Sequence, residues 1–478
     1  MKNLYLVLLV ALFSACSIED DQFINDLDST SGGSLIMASS SASSSNYNHR
    51  YDFERAHFVT KHTCAVSMKN GLLAVGSTIR GFVDIRHISL TLVDPATGLP
   101  VIQSQEYRGD AYSTIAADMV PSMSNSDYVV VAGNYPPYSQ PNIGIVVFET
   151  DPKSGFVNWA THFGDPNNNF NSYALARNER QGIYYLLGEY DYVANNQGFR
   201  EMYVCAFDRN GQALWEKHYR DPINEANQQS ADIVYDPEKN TLNIIAKMTK
   251  GFDKLGVVIA NIRPDDGQVI NAFRITEIGG NPDFRVKDAI ELKGRHTLVG
   301  TLNESKKRSF LFQFDPSQKP NTSTASIYST EGRNLDFIGV KLNHKGQIYA
   351  SMDVQQGARI PETGLAEFTS TGLLKSSYVY QVPDYDISTG LFTTYDQSGM
   401  ILKGITGYQE ENHLLSIVGT RTPLKHDEDI CSRDIRLIVD KGHEVEDYEL
   451  KAIALETSYS TEMLVNTARP SVRDCGGE

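Results

Sequence analysis

The chain has 478 residues and a formal net charge of −16, from 43 Lys and Arg residues against 59 Asp and Glu residues. Hydrophobic residues make up 41% of the chain, which is enough for a folded domain with a large core. The acidic balance and the lack of clustered Lys and Arg argue against a nucleic-acid partner, because phosphate binding requires such clusters.

The amino terminus has the parts of a secretory signal peptide. Lys2 precedes the apolar run Leu4 to Phe13, and the small residues Ser14 and Ala15 follow it. An apolar run of this length is too short to cross a bilayer as a helix. We therefore predict a signal peptide over residues 1–15.

The step Ser14-Ala15-Cys16 resembles the lipobox of bacterial lipoproteins, in which the cysteine is acylated and becomes the new amino terminus. The resemblance implies that Cys16 is the lipidation site and that the membrane is a partner through it. The acidic residues that follow, Glu19 to Asp21, resemble the tags that send some lipoproteins to the outer face of the outer membrane. A plain secretory signal with an incidental cysteine and a solvated acidic linker are the alternatives.

The segment from residue 16 to residue 48 is predicted to be a flexible tether. It is rich in Ser and poor in large apolar residues, so it cannot bury enough surface to offset its ordering entropy. A linker of roughly 30 residues has an r.m.s. reach of about 30 Å, which would hold a domain clear of the headgroups.

A short apolar strand that contains a glycine or another small residue recurs at intervals of about 50 to 58 positions. The seven copies are Leu72 to Gly76, Val129 to Gly133, Tyr184 to Gly188, Leu242 to Ala246, Thr297 to Gly300, Ile348 to Ser351 and Ile401 to Gly404. Each copy lies in a unit that reads as strand, turn, strand, loop, strand, turn, strand. This pattern predicts an all-β fold, a β-propeller of seven blades over residues 49–457, with six or eight blades as alternatives.

The third strands of the units end in turns with a shared chemistry. Asp94, Asp151 and Asp208 begin three such turns at steps of 57 residues, and a glycine closes each one. Asp caps the backbone two residues on, and Gly supplies the positive φ of a tight hairpin. Both tryptophans, Trp159 and Trp215, occupy equivalent places after two of these turns.

The segments Asp151-x-x-Ser154-Gly155-x-x-x-Trp159 and Asp208-x-Asn210-Gly211-x-x-x-Trp215 resemble the repeats of quinoprotein-like propellers. The likeness covers about three repeats well and the other four loosely, and it implies that each Trp docks one blade on the next. Quinoprotein dehydrogenases place neighbouring cysteines over their cofactor, and no adjacent pair exists here, so we expect no cofactor. No Cys/His spacing indicates a metal site.

The carboxyl-terminal part is less regular, and we describe residues 458–478 as a tail. The segments 436–440 and 450–455 would complete a seventh blade or start an eighth, with a strand near Tyr51 to Phe58 closing the ring. Four cysteines besides Cys16 permit three disulfide pairings, and Cys431 with Cys475 is the preferred pair. Cys205 lies in an apolar strand and is expected to be a buried thiol, and Cys64 is left unassigned.

Propellers bind ligands at loops around the channel mouth, and several of these loops are rich in Tyr and Asn. The candidate binding residues are Tyr135, Tyr138, Asn168, Tyr190, Tyr192 and Tyr408. Such loops fit an envelope protein or a glycan as partner, although solvated turn residues and core tyrosines would give the same pattern. The oligomeric state stays open.

We therefore expect a non-catalytic binding or assembly module on the cell envelope. The alternative is a propeller carbohydrate-active enzyme on the cell surface. Two carboxylates about 5 to 10 Å apart in the channel mouth would favour that enzyme. No catalytic residue can be singled out among 59 Asp and Glu residues.

Overall fold

A computed structural model gives the architecture. It describes residues 47–53, 58–80, 86–108, 114–135, 143–164, 167–194, 197–222, 225–317, 323–356, 361–380, 387–394, 396–406, 414–425, 432–448, 450–455, 458–460, 464–468 and 470–474. All of them belong to one compact unit, Ser43–Glu478. Their regular elements are β-strands, and no helix among them is long and apolar enough to cross a membrane.

The strands form a seven-bladed β-propeller, as the repeats predict. The chain first contributes β1 (Tyr47–Phe53), which belongs to the last blade. Blades 1 to 3 comprise β2 (Phe58–Ser67), β3 (Leu73–Arg80), β4 (Arg86–Val93), β5 (Ser104–Arg108), β6 (Ile115–Pro121), β7 (Val129–Tyr135), β8 (Gly144–Thr150), β9 (Val157–Phe163), β10 (Asn169–Asn178), β11 (Ile183–Ala194), β12 (Gln197–Phe207) and β13 (Ala213–Arg220). Blades 4 and 5 comprise β14 (Asn227–Asp236), β15 (Thr241–Lys250), β16 (Asp253–Ile262), β17 (Val269–Ile278), β18 (Phe284–Leu292), β19 (Arg295–Leu302), β20 (Arg308–Phe314) and β21 (Thr324–Ser329). Blade 6 comprises β22 (Asn334–Leu342), β23 (Ile348–Gln355), β24 (Glu362–Phe368) and β25 (Leu374–Tyr380), and blade 7 begins with β26 (Ile387–Thr393), β27 (Gly399–Thr406) and β28 (Leu414–Arg421).

The first strand of each blade lines the central channel and contacts the first strands of both neighbouring blades, with β26 against β2 closing the ring. Neighbouring strands within a blade are antiparallel, so successive strands run in opposite directions. The two ends of the ring therefore carry different connections between strands. We call the end where each first strand begins the upper end; it also carries the hairpins between second and third strands. The lower end carries the hairpins between first and second strands and between third and fourth strands.

The core consists of apolar layers between successive blades. Val131 and Phe148 of blade 2 pack with Leu90 of blade 1, for example, and Ile244 of blade 4 packs with Val204 of blade 3. Each sheet is therefore buried on both faces by its neighbours, which explains why the second and third strands read as near-continuous apolar runs.

The lower-end turns have the chemistry that the sequence predicts. The carboxylates of Asp94, Asp151 and Asp208 each accept a hydrogen bond from the backbone N–H two residues on, over 2.8, 2.8 and 2.9 Å. The closing glycines have positive φ, for example +77° at Gly211. These turns are confirmed as Asp-capped hairpins.

The tryptophans pack one blade onto the next, as the resemblance to quinoprotein-like repeats implies. Trp159 of blade 2 lies against Gly211 of blade 3, and Trp215 of blade 3 lies against Gly267 of blade 4, so closely that neither glycine has room for a Cβ. Thr161 and Tyr219 donate hydrogen bonds to the carbonyls of the same two glycines, over 2.7 and 2.9 Å. The Asp-capped turn is therefore also the contact point between blades.

The carboxyl-terminal strands form an outer belt that sequence analysis did not predict. They are β29 (Ser432–Asp434), β30 (Ile438–Lys441), β31 (His443–Tyr448), β32 (Lys451–Leu455), β33 (Ser458–Ser460), β34 (Leu464–Ala468) and β35 (Pro470–Asp474). They add a fifth strand to blades 6, 5, 4, 3, 2, 1 and 7 in that order, so the belt runs around the rim against the order of the blades. Three of them lie beyond residue 457, in the segment described above as a tail.

Ring closure differs in one respect from the expectation. The strand β1 lies between β28 and β35 and completes blade 7, close to the closure strand expected near Tyr51 to Phe58. The segments 436–440 and 450–455 neither complete that blade nor start an eighth, because β30 and β32 are belt strands on blades 5 and 3. Sequence analysis assigned the short apolar runs of these segments to blades, because the sequence alone does not show which sheet a strand joins.

The described cysteines are two buried thiols. Cys205 has no exposed surface, which confirms the prediction, and Cys64 is 3% exposed. Cys431 and Cys475, the preferred disulfide pair, lie outside the described residues.

We expect Gly211→Ala to lower the free energy of unfolding by about 2–4 kcal/mol, because a Cβ at this φ is strained and would overlap the Trp159 ring. Urea denaturation measures the change. Gly198→Ala is the matched control in the same blade, since no atom lies within 4 Å of its added Cβ. An equal effect of the two substitutions would contradict the proposed blade contact.

Candidate functional site

The described candidate residues lie at the upper end of blades 2 and 3. Tyr135 is the last residue of β7, and Asn168 immediately precedes β10. Tyr190 and Tyr192 lie on the upper part of β11. Tyr138 and Tyr408 lie outside the described residues, so the structure brings only part of the predicted set together.

The hairpin β11–β12 is the longest of the second-to-third-strand hairpins in the described chain. Its strands have 12 and 11 residues, whereas β7 and β8 of blade 2 have seven each. The additional residues lengthen the ladder of blade 3 at its upper end, as far as the pair Ala194 and Gln197. At its tip Val193 is 75% exposed, and Phe252 at the neighbouring hairpin β15–β16 is fully exposed.

Four aromatic rings form a continuous row along one face of this hairpin. Phe170 is buried in the core and contacts Tyr190 at 5.1 Å between ring centroids. Tyr190 stacks on Tyr192 at 5.1 Å, and Tyr192 stacks on Phe199 at 5.4 Å. The row therefore runs from the core to the upper surface, and we call it the aromatic row.

A polar network holds the outer half of the aromatic row in place. The Tyr192 hydroxyl donates to Glu201 over 2.7 Å and accepts from Arg220 over 2.7 Å. Arg220 also donates to Glu201 over 2.8 Å, and its guanidinium lies 5.5 Å from the centre of the Tyr192 ring. His218 completes the network through Nδ1, which contacts Glu201.

Burial and hydrogen bonding act in opposite directions on the pKa of Glu201. Burial raises it, but the hydrogen bonds from His218, Tyr192 and Arg220 outweigh that effect, so the pKa is lowered. The carboxylate therefore stays ionised and continues to orient Tyr192. The hairpin is a preorganised surface, since its aromatic side chains lose little freedom when a partner binds.

The opposite face of the same hairpin carries a second charged group. Arg200 binds Asp191 through two hydrogen bonds of 2.8 Å and lies 3.2 Å from the buried Glu189. Burial raises the pKa of Glu189 to about 7, although the Arg200 charge opposes this. Glu189 also accepts the N–H of Ser230 over 3.0 Å, which connects the hairpin to blade 4.

Three aspartates that sequence analysis did not single out line the channel. Asp118, Asp232 and Asp288 each follow a β-bulge in the first strand of blades 2, 4 and 5. Each accepts the N–H of the next residue in its own strand and one N–H from another blade. The second donors are Leu175, Ala289 and Val340, at 2.7, 2.6 and 2.7 Å.

The channel charges interact with one another. Lys341 donates to Asp288 over 3.2 Å, and the N–H of Ala289 is shared between Asp232 and Asp288. Burial and then the charge of Asp288 raise the pKa of Asp232 well above its ordinary value. Burial lowers the pKa of Lys341, but the neighbouring carboxylates outweigh it and the pKa is raised.

Most of the hydrogen-bond acceptor sites of the three aspartates are therefore occupied by backbone N–H groups. A bulge leaves a backbone N–H without a ladder partner, and the carboxylate satisfies it. Because the second donor comes from a different blade, Asp118, Asp232 and Asp288 also join blades across the channel wall. In the part of the chain that the structure describes, no group of three or more His, Cys, Asp or Glu side chains is placed to hold a metal ion.

A sequence signal for these aspartates exists in hindsight. The donor and acceptor of an inter-blade pair are 57 residues apart for Asp118 and for Asp232, the same step that separates the Asp-capped turns. In three repeats, an aspartate in the middle of the first strand of the blade, followed by an apolar residue, marks the bulge. The other blades have Ala or Gly at this place, so the pattern is incomplete and was not recognised.

No protein-family model matches the chain, and no curated protein matches it. Similar solved structures include the quinohemoprotein alcohol dehydrogenase of Comamonas testosteroni, at 9% identity over 79% of this chain and 78% of that one, with a TM-score of 0.37. The phage phi92 endosialidase matches at 9% identity over 80% and 70%, and the Penicillium chrysogenum alpha-L-arabinanase at 9% over 79% and 98%, both with a TM-score of 0.40. Similarity at this level carries no argument about activity.

The channel aspartates predict a pH dependence of stability. Burial raises the pKa of Asp118 from 3.8 to about 6, so the folded protein holds its proton where the unfolded chain has lost it. The stability contributed by this proton is present below pH 3.8 and is lost as the pH rises towards 6. As the pH rises across this window, we expect the free energy of unfolding of wild type to fall by roughly 1–2 kcal/mol relative to that of Asp118→Asn.

Urea denaturation of both proteins at several pH values between 4 and 7 measures this difference. Asp127→Asn, at an exposed position of the same blade, reports the effect of removing a surface carboxylate. A wild-type minus Asp118→Asn difference that is constant with pH would show that the carboxyl group titrates normally.

Proposed function

We propose that this protein is a lipid-anchored protein of the outer cell envelope, and that the upper end of its propeller binds a glycan or an exposed protein loop without catalysis. The aromatic row is the observation that carries the proposal. Rings that are fixed by Glu201 and Arg220 and that end beside an exposed hairpin tip suit a partner with both apolar and hydroxyl groups.

The direction of β1 supports binding at the upper end. In β1 the first residue, Tyr47, pairs with Gly419 near the lower end of β28. The chain that precedes Tyr47 therefore joins the propeller at the lower end. A tether attached there leaves the upper end free for a partner.

A carbohydrate-active enzyme is the second candidate, and the raised pKa values of Asp118 and Asp232 are the observation that favours it. A protonated acid near an ionised carboxylate is the arrangement that glycosidases use. Against it, both oxygens of each of these aspartates accept backbone N–H groups. If wild type hydrolyses a glycan, and Asp232→Asn binds it but no longer hydrolyses it, the enzyme is supported. If wild type binds a glycan without hydrolysing it, the binding module is supported.

We expect Phe199→Ala to weaken partner binding about threefold to tenfold, because it removes the outermost stacked ring while leaving the Tyr192 hydroxyl bonds in place. A glycan array and a pull-down from whole envelopes identify the partner, and titration measures the affinity. Ile438→Ala removes a 47% exposed apolar side chain from the outer belt on blade 5 and is the control. Equal binding by both variants and wild type would exclude the aromatic row as the binding surface.

We expect Cys16→Ser to abolish acylation and to release the protein from the membrane fraction. Metabolic labelling with palmitate and fractionation of the envelope measure the two effects. Wild-type protein without lipid at Cys16, or a variant retained in the membrane fraction as fully as wild type, would contradict the proposed anchor.

A further inference from the structure

Exposed apolar side chains recur at the lower end of the ring. Those that follow the third-strand turn in blades 1, 2, 3, 4 and 6 are 40 to 63% exposed, and we call them the lower rim. The lower rim consists of Leu99, Val101, Phe156, Leu214, Ile270 and Leu373. Single exposed apolar residues are common in soluble proteins, but a repeated set at one end of a ring marks an interaction surface.

The fold leaves the lower rim uncovered. In blades 3 and 4 the belt pairs only with the upper part of the fourth strand, starting at Glu216 and at Ala272. Leu214 and Ile270 lie below those positions. The residues that pack blade against blade, such as Trp215, lie on the same strands but contact the neighbouring turn. The rim residues are thus not needed to pack one blade against the next.

The position of Tyr47, the first described residue, indicates what covers this surface. The chain before Tyr47 joins the propeller at the lower end, because Tyr47 pairs near the end of β28 that adjoins the hairpin at Gly399. That segment carries Cys16, the proposed acylation site. A flexible tether of roughly 30 residues has an r.m.s. reach of about 30 Å, which is long enough for the domain to stand clear of the headgroups and flexible enough for its lower end to meet the bilayer at high effective concentration.

The exposed charges of the lower-end turns are of both signs, as Asp265 and Arg209 show. The carboxylates of Asp94, Asp151 and Asp208 are engaged by the N–H groups of their own turns. Lys153 and Arg209 lie exposed on two of these turns, and their side chains are long enough to reach lipid phosphates while the rim contacts the interface.

We propose that the lower rim is a membrane-docking surface, which seats the propeller in the interfacial region of the bilayer that anchors it. This inference rests on the proposed acylation of Cys16 for its orientation. Docked in this way, the propeller presents the aromatic row away from the membrane.

Hydroxyl-radical footprinting of the full acylated chain, free in detergent and bound to phosphatidylcholine vesicles, tests the docking. Labelling of Phe156, Leu214 and Leu373 should fall severalfold on vesicles. Labelling of Val193 and Phe252 at the upper end should not change, and these residues are controls within the same molecule. Equal labelling of the rim in both states, or protection of Phe252 instead, would overturn the proposal.

A second measurement separates docking from anchoring. The full chain with Cys16→Ser carries no lipid, so its weak sedimentation with the same vesicles reports the lower rim alone. Adding Phe156→Ser, Leu214→Ser and Leu373→Ser should lower the partition coefficient at least about tenfold. These side chains are surface-exposed, and an unchanged melting temperature verifies folding.

Each outcome of these experiments decides a different question. An unchanged partition coefficient overturns the docking surface even if Cys16 is acylated. Loss of partitioning in the triple variant supports docking even if acylation fails. Protection of the rim that depends on protein concentration and not on vesicles would assign the surface to a second copy of the chain and overturn the proposal.

Discussion

The whole architecture depends on the contact that closes the ring. Every sheet in a propeller is apolar on both faces, so each blade requires a neighbour on both sides, and a missing blade contact would expose an entire layer of core. Here the contact between β26 and β2 closes the circle, and blade 7 receives its fourth strand from the amino terminus. The belt then adds β35 outside β1, so the first and last described strands lie in the same sheet.

The belt also addresses the open edges of the blades. A fourth strand at the rim of a propeller presents unpaired N–H and C=O groups that can template unwanted pairing. Each belt strand covers part of one such edge, and the belt crosses all seven blades. In blades 3 and 4 the coverage is limited to the upper part of the fourth strand, from Glu216 and Ala272, so the lower ends of these strands stay open to another surface.

Sequence analysis predicted the features that repeat and that have a local physical cause. The Asp-capped turns, the positive-φ glycines and the equivalent tryptophans are set by residues within a few positions of one another, so a single sequence shows them. The belt could not be predicted, because a strand such as Lys451–Leu455 pairs with a blade more than 200 residues earlier and carries no local sign of it.

The same reasoning explains the outcome for the candidate sites. Tyr190 and Tyr192 were chosen for residue type and loop position, and the structure places both in one stacked row. Their partners Glu201 and Arg220 follow from the register of β11, β12 and β13, which the sequence does not specify. The channel aspartates were missed because their role comes from bulges and inter-blade N–H groups, which only the folded ring brings together.

The two ends of the ring are under different physical constraints. The lower-end turns of blades 3 and 4 place the positive-φ glycines Gly211 and Gly267 against a Trp of the preceding blade, so the length and conformation of these turns are restricted. At the upper-end hairpin β15–β16, by contrast, a Cβ added to the tip residue Gly251 would meet no atom within 4 Å, so the length of such a hairpin can change without disturbing the ring. Blade 3 uses this freedom, since β11 and β12 are longer than the strands of blade 2 and are fixed by their own polar network. Specific recognition therefore fits the upper end, whereas the lower end is suited to a repeated, non-specific contact.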